Sequence, residues 1–310
     1  MINFYKTTEA GLEKLEEMAS GCWINVIDPT TDEIEQLTGL GIPQDFITYP
    51  LDIDERARTE KEDDGTTLIL IRIPYFQGVK VDVPYTTIPL GIVLTNGFIL
   101  TVCRRQNDIL QEFASGRMRG FSTAKRNRFV LQILLNTAYK YLSYLREINR
   151  TVDFLEDQLQ ASMQNKEVME LLKYQKSLVY FTTALKTNEL LLERLHRGPL
   201  FRMYPEDEDL LEDVITENQQ AIEMTNISNN ILSSMMDAFA SIISNNLNVV
   251  MKFLASVTIV LSLPNILTSF YGMNITLPMQ NNPNAAFIIL GLSIGISLTV
   301  IFIFMKRQWF

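Results

Sequence analysis

The chain has 310 residues, 47% hydrophobic and 20% charged, with 27 basic against 36 acidic side chains and a formal net charge of −9. That balance disfavours nucleic acid as a partner and suits the attraction of cations. The sole histidine, His196, stands beside a helix break with no nucleophile–base pattern or phosphate-cradling loop near it. An enzyme is therefore not expected, and no ATP requirement is implied. Cys22 and Cys103 have no paired spacing and read as reduced cytosolic thiols. The start, MINFYKTTEAGLEKLEEM, lacks a basic stretch followed by an apolar core, so no removable signal peptide is expected.

Residues 1–105 mix strand and helix signals and read as an N-terminal α/β domain. Cys22 to Ile27 is a strand candidate ending at Asp28-Pro29, and Thr30 with Glu33 forms a capping box that opens a helix through Leu37. Pro43 starts another short helix. Asp64-Gly65 and Asn96-Gly97 each join two β-rich runs, which predicts two hairpins and an antiparallel sheet with helices on its faces.

Residues 106–204 read as long cytoplasmic helices. Seven basic residues (Arg104, Arg105, Arg117, Arg119, Lys125, Arg126 and Arg128) precede them, fitting either a solvated face or a site for nucleotide or anionic lipid. Phe129 to about Gln164 and Glu167 to Leu195 carry apolar residues at helical spacing, predicting two long antiparallel helices. His196-Arg197-Gly198-Pro199 breaks the second.

The third segment, 205–271, begins with acidic residues that complement a helix N-terminus behind Pro205. Its helical pattern has no Gly or Pro until Pro264, so a continuous helix to Tyr271 would be roughly 100 Å long. Such a rod needs lateral support, and copies of itself around an axis are the natural source. Between Gln219 and Asn248 it is rich in Asn, Ser and Thr, including Thr225 and Ser228, which are poor helix fillers but suit a wet channel. Asp237 is the only acid between Glu223 and the apolar run.

From Phe253 to Met305 there is no Asp, Glu, Lys, Arg or His. The run is broken only by an uncharged turn at 272–284 that includes Gln280 and Asn281, so it reads as two membrane spans, the second at 285–305. Along the first span Asn248, Met251, Ala255, Thr258, Ser262, Asn265 and Ser269 recur at steps of three and four and share one face. That face must meet protein or water rather than lipid. Helix-to-helix hydrogen bonding and the lining of a water-filled path both fit it. Pro264 removes a bond to the Val260 carbonyl and is expected to kink the span. Gly291 and Gly295 form a small-xxx-small pair expected to pack closely on a neighbouring helix. Lys252 before the first span, and Lys306 with Arg307 in the basic tail 306–310, put both termini in the cytoplasm of a multi-pass cell-membrane protein. Trp309 and Phe310 would rest at the inner interface of the bilayer.

The first span ends in Tyr271-Gly272-Met273-Asn274, followed by a short loop, a second span and Lys306-Arg307-Gln308-Trp309. In this the chain resembles the CorA family of divalent-cation channels, whose signature is Gly-Met-Asn at the outer end of the first of two C-terminal membrane helices. The run Leu51-Asp52, Glu55-Arg56 and Arg58 also looks like the matching part of the CorA cytoplasmic domain. The resemblance implies an α+β cytoplasmic domain with a mostly antiparallel sheet flanked by helices. Long helices and two C-terminal membrane helices follow, in a funnel-shaped homopentamer. It implies Mg2+ uptake, also of Co2+ or Ni2+, down the electrochemical gradient and closed by cytoplasmic Mg2+.

On that resemblance Tyr271, Gly272, Met273 and Asn274 form the selectivity filter at the outer mouth. Neutral carbonyl and amide oxygens hold Mg2+ by its hydration shell without the deep trap of a carboxylate ring. Asp237, Asn248, Thr258, Ser262, Asn265 and Ser269 would line the pore, and Met251 with Leu254 or Ala255 would narrow it. Asp213 and Asp237 fall where regulatory acids occur in relatives, with Asp52 or Asp54 as the partner acid from the sheet domain. Many relatives carry carboxylates in the outer loop, and ITLPMQNNPNA has none. Two other readings stay open: a ZntB-like Zn2+ transporter coupled to protons, and a membrane-anchored cation sensor that does not conduct. One His and no Cys near the pore favour Mg2+ over Zn2+.

Overall fold

A computed structural model describes residues 1–118, 120–162, 165–198, 204–279 and 282–307. Arg119, Pro199, Gln280, Asn281, Gln308, Trp309 and Phe310, to which the sequence assigned parts in the basic patch, the helix break, the outer loop and the inner interface, lie outside the described residues. The chain divides into two compact units, Met1–Ser234 and Met235–Phe310.

The first unit is built on a seven-stranded sheet in the order β2-β1-β3-β7-β6-β5-β4. Its strands are β1 (Ile2–Thr8), β2 (Gly11–Leu15), β3 (Trp23–Ile27), β4 (Arg58–Lys61), β5 (Thr67–Phe76), β6 (Tyr85–Leu94) and β7 (Ile99–Cys103). Both expected hairpins are present, with Lys61 opposite Thr67 and Leu94 opposite Ile99. The sheet is mixed rather than wholly antiparallel, because β3 runs parallel to β7 with Trp23 opposite Ile99. The edge hairpin β1–β2 lacked an apolar run to announce it: its residues are half-buried or exposed.

Strand alternation sends Leu68 and Leu70 to one face and Ile69, Ile71 and Ile73 to the other, and helices cover both. Leu37 of α1 (Thr31–Thr38) and Phe46 of α2 (Gln44–Thr48) pack on the first face. The Thr30–Glu33 capping box opens α1 as expected. On the other face lie α3 (Asp108–Ala114), α4 (Arg126–Ser162) and α5 (Asn165–Arg197), with Phe113, Phe129 and Leu192 in the core. Arg128 is engaged within the fold, 3.0 Å from Glu206 and 3.7 Å from Asp207 at the start of α6 (Pro205–Tyr271).

Within this unit α6 turns Leu211, Val214, Ala221, Ile222 and Leu232 inward. Thr225 and Ser228, expected in a wet channel, are buried here, and their hydroxyls donate to the Ala221 and Met224 carbonyls at 2.6 and 2.8 Å. That bond satisfies a hydroxyl without water, which is how Thr and Ser come to serve as packing residues.

The second unit contains the rest of α6 and α7 (Ala285–Lys306). α6 continues as helix through Pro264 to Tyr271. Each helix contains a stretch long and apolar enough to cross a membrane. Val257, Val260 and Leu261 line an apolar gap with Ile301 and Met305, so this face of α6 is turned toward α7. Gly291 and Gly295 are exposed, and a Cβ at either would meet nothing within 4 Å. The close contact expected of them is not made within this chain.

One glycine of the first unit has a demanding position. A Cβ on Gly91 of β6 would overlap the Pro50 ring in the 3-10 turn Tyr49–Leu51, which lies against the sheet and leads into Asp52. Gly91→Ala is expected to destabilise the protein by about 1–3 kcal/mol, as overpacking does. Thermal unfolding of the detergent-solubilised protein checks this, with a lower midpoint expected for Gly91→Ala and an unchanged one for Gly97→Ala, whose added methyl meets nothing within 4 Å.

Candidate functional site

The polar stripe of α6 is exposed throughout (Asn248, Met251, Ala255, Thr258, Ser262, Asn265 and Ser269), as is the neighbouring Leu254. The residues of α6 that are covered in this unit are Ser256, Val257, Val260, Leu263, Pro264, Leu267 and Tyr271. At 100° per residue these two sets lie on opposite sides of the helix. The stripe is therefore not spent on α7. Asp237 is exposed and falls on the stripe's side.

Not all of the stripe demands a partner. The Thr258 hydroxyl donates to the Leu254 carbonyl at 2.8 Å and Ser262 to the Thr258 carbonyl at 2.7 Å, so these side chains are satisfied within their own helix. The amides of Asn248 and Asn265 have no hydrogen-bond partner among the described residues. A carboxamide has two donors and an acceptor, and leaving it unpaired in hydrocarbon costs several kcal/mol.

At the end of α6 the Gly272 N–H donates to the Thr268 and Ser269 carbonyls at 3.0 and 3.2 Å, and Met273 N–H to Phe270 at 3.3 Å. This turn closes the helix and leaves Gly272, Met273 and Asn274 exposed beside a half-buried Tyr271. A Cβ on Gly272 would come no nearer than 3.5 Å to any neighbour, so nothing in the single chain requires glycine there.

The acids singled out in the first unit are exposed. Asp52 and Asp54 follow the 3-10 turn, and Asp52 Oδ1 accepts the Asp54 N–H at 3.0 Å. Glu55 and Glu60 are both engaged by Arg58, whose guanidinium also lies 4.5 Å from the Tyr49 ring centre. Asp213 is exposed on α6 beside Tyr139 of α4, whose hydroxyl pKa is raised by burial and then by Glu217 and Asp213. Among the described residues no three Asp, Glu, His or Cys side chains gather closely enough to hold a metal ion. Sequence patterning passed over Arg72, which binds the backbone on either side of Asp54. The signal for it is a lone charge inside the apolar run Leu68–Ile73.

An α/β unit followed by two membrane-length helices, the first with an unshared polar face, defines a two-span membrane protein with the features of an ion transporter. Residues 19–307 match the family described as CorA-like Mg2+ transporter protein, and the chain belongs to that family. It is a membrane transporter of divalent cations and not an enzyme. The cobalt/magnesium transport protein CorA of Methanocaldococcus jannaschii is 31% identical over 299 residues, covering 93% of this chain and 90% of the relative. The complete structure of the CorA magnesium transporter from that organism superposes with a TM-score of 0.87 at 27% identity, covering 100% of this chain and 99% of the other. The ZntB cytoplasmic domain from Vibrio parahaemolyticus shares the fold alone, with 12% identity, a TM-score of 0.60, and coverage of 78% of this chain and 98% of that one.

The two faces of α6 predict different chemical accessibility. Cysteine at Thr258 or Ser262 should react with a charged, water-soluble thiol reagent at least about tenfold faster than cysteine at Val257 or Val260, because only hydrated thiols ionise and react readily. Background will be low. Both native cysteines are buried, and burial pushes the Cys103 thiol up to about 11. Equal rates at the four positions would contradict a hydrated stripe.

Proposed function

We propose that this chain is one subunit of a homopentameric channel that carries hydrated Mg2+, and also Co2+ or Ni2+, into the cytoplasm. The observation that carries this reading is the exposed face of α6 opposite α7, with two amides that have no hydrogen-bond partner among the described residues. Copies arranged around an axis turn those faces toward one another and toward water, which removes the cost of presenting them to lipid. Supporting it, the related protein of M. jannaschii is named for cobalt and magnesium transport.

In this reading Tyr271, Gly272, Met273 and Asn274 are the filter. Glycine at 272 makes sense if backbones of several copies converge there, since the single chain does not require it. Amide and carbonyl oxygens contact the ion's water shell, and the uncharged loop leaves first contact with the ion to those oxygens. Asp237, Asn248, Thr258, Ser262, Asn265 and Ser269 line the path, and Met251, Leu254 and Ala255 narrow it so that dewetting closes it. With both termini cytoplasmic, the membrane potential supplies about 4.6 kcal/mol per divalent ion at 100 mV, and no ATP is needed. Regulatory Mg2+ binds between Asp52 or Asp54 of one subunit and Asp213 of the next and holds the ring closed.

Ion flux into liposomes tests the reading. Wild-type protein should carry Mg2+ and Co2+ under an imposed potential, with or without a proton gradient. Asn274→Ala should lower that flux by at least about tenfold, the size expected for losing one good hydrogen-bonding group per subunit. Flux of Zn2+ alone, and only with a proton gradient, would move the assignment to a ZntB-like transporter; no flux of any ion would favour a non-conducting sensor. A second assay addresses regulation: Asp213→Ala should keep conducting at internal Mg2+ concentrations that silence wild type, and unchanged sensitivity would remove Asp213 from the closing site.

A further inference from the structure

Arg72 is a charge in the middle of β5, a strand otherwise buried and apolar, and every part of it is engaged. β4 stops pairing with β5 at Arg58 opposite Leu70, which leaves the backbone beyond Leu70 without a neighbouring strand on that side. The amide of Asn188, buried on α5, stands in for that strand. It accepts from the Arg72 N–H at 2.9 Å and donates to the Arg72 carbonyl at 2.8 Å. The hydroxyl of fully buried Tyr141 on α4 donates to the same carbonyl at 3.0 Å. The main chain of Arg72 is thus locked to both long helices.

Its side chain reaches the other way. Nε donates to the Thr87 hydroxyl at 3.2 Å, and Nη2 to the Thr87 hydroxyl and carbonyl at 2.9 and 2.8 Å. Nη1 donates to the carbonyls of Ile53 and Glu55 at 2.5 and 2.8 Å, one on each side of Asp54. All of these acceptors are neutral. Among the described residues no carboxylate lies within ion-pair distance of Arg72, which is unusual for a half-buried guanidinium. Burial lowers its pKa, opposed by Tyr141 and then by the carboxylates of Asp54 and Asp52 acting from beyond contact. Its hydrogen bonds to the Ile53 and Glu55 carbonyls fix the backbone on either side of Asp54.

We propose that Arg72 is the positioning residue of the divalent-cation site at Asp52 and Asp54, holding the 52–55 segment in its binding conformation and tying it to α4 and α5. This rests on the reading of those acids as regulatory ligands. A cation on Asp52 or Asp54 would bear on the segment whose Ile53 and Glu55 carbonyls accept from Arg72, and through the Arg72 main chain on its bonds with Asn188 and Tyr141. Coupling is reciprocal: whatever loosens the hold of Arg72 on the loop weakens cation binding by the same factor that binding changes the hold. A guanidinium fork spans Thr87, Ile53 and Glu55 at once, and an ammonium keeps the charge but cannot.

The test is the internal Mg2+ concentration that half-inhibits flux through the full-length protein in liposomes, measured for wild type, Arg72→Lys, Thr87→Val, Asp52→Asn and Asp54→Asn. Arg72→Lys should raise that concentration about tenfold, within the range of ordinary coupling energies, and Thr87→Val should raise it less. A wild-type midpoint in both, with Asp52→Asn or Asp54→Asn insensitive to Mg2+, overturns the positioning role and leaves the regulatory site standing. Wild-type midpoints in both Asp variants overturn the site itself and the inference with it. If Arg72→Lys yields too little folded protein, Thr87→Val decides alone. A thermal midpoint lowered without any change in Mg2+ dependence would mark Arg72 as a structural clip only and contradict the proposal.

Discussion

An amide in hydrocarbon has to find a partner, and that requirement shapes the membrane part of this protein. Serine and threonine meet it locally, as Thr258 and Ser262 do by returning their hydroxyls to carbonyls one turn back. Asparagine at 248 and 265 has no such local solution in the helix, and α7 occupies the opposite side. Within the apolar run the demand of the polar face is therefore greatest at Asn265. A single copy in a bilayer would leave several kcal/mol at the Asn265 amide unrecovered. In the proposed assembly, stripes turned inward would recover it and produce a wet path in the same step.

The first unit obeys a different constraint. Its sheet is covered on both faces, so each departure from an apolar pattern in the central strands has a specific neighbour. Gly91 leaves room for Pro50, and Arg72 holds the segment that follows it. Both act on the few residues around Asp52 and Asp54. The loop that carries the proposed regulatory acids is thereby fixed from beneath by β5 and β6 as well as by its own turn, in which Glu55 N–H donates to the Asp52 carbonyl at 3.2 Å and Asp54 N–H to Asp52 Oδ1 at 3.0 Å.

Much of this was readable from residues alone. The two spans, the capping box at Thr30, both Gly-centred hairpins and the long helices follow from local patterns that tertiary structure did not override. The β1–β2 hairpin was missed because edge strands bury little and carry no apolar run. The parallel pairing of β3 with β7 is a long-range choice that strand-local signals do not encode. Thr225 and Ser228 misled because composition does not reveal which face of a helix is covered. At the membrane site the sequence supplied the stripe but left two uses for it. The position of α7, across the helix from the stripe, removes bonding to the chain's own second span as its explanation. Arg72 was legible only as an anomaly, and its partners come from β6, α4, α5 and the loop at 53–55, which no spacing rule connects.

In the proposed assembly the polar faces of several copies of α6 meet one another around water. Oxidation of Asn265→Cys protein in native membranes measures this directly. Disulfide-linked pairs of chains are expected at position 265 and none for Ile266→Cys, one residue around the helix. Chains that stay single at 265, or that cross-link equally well at 266, would contradict it.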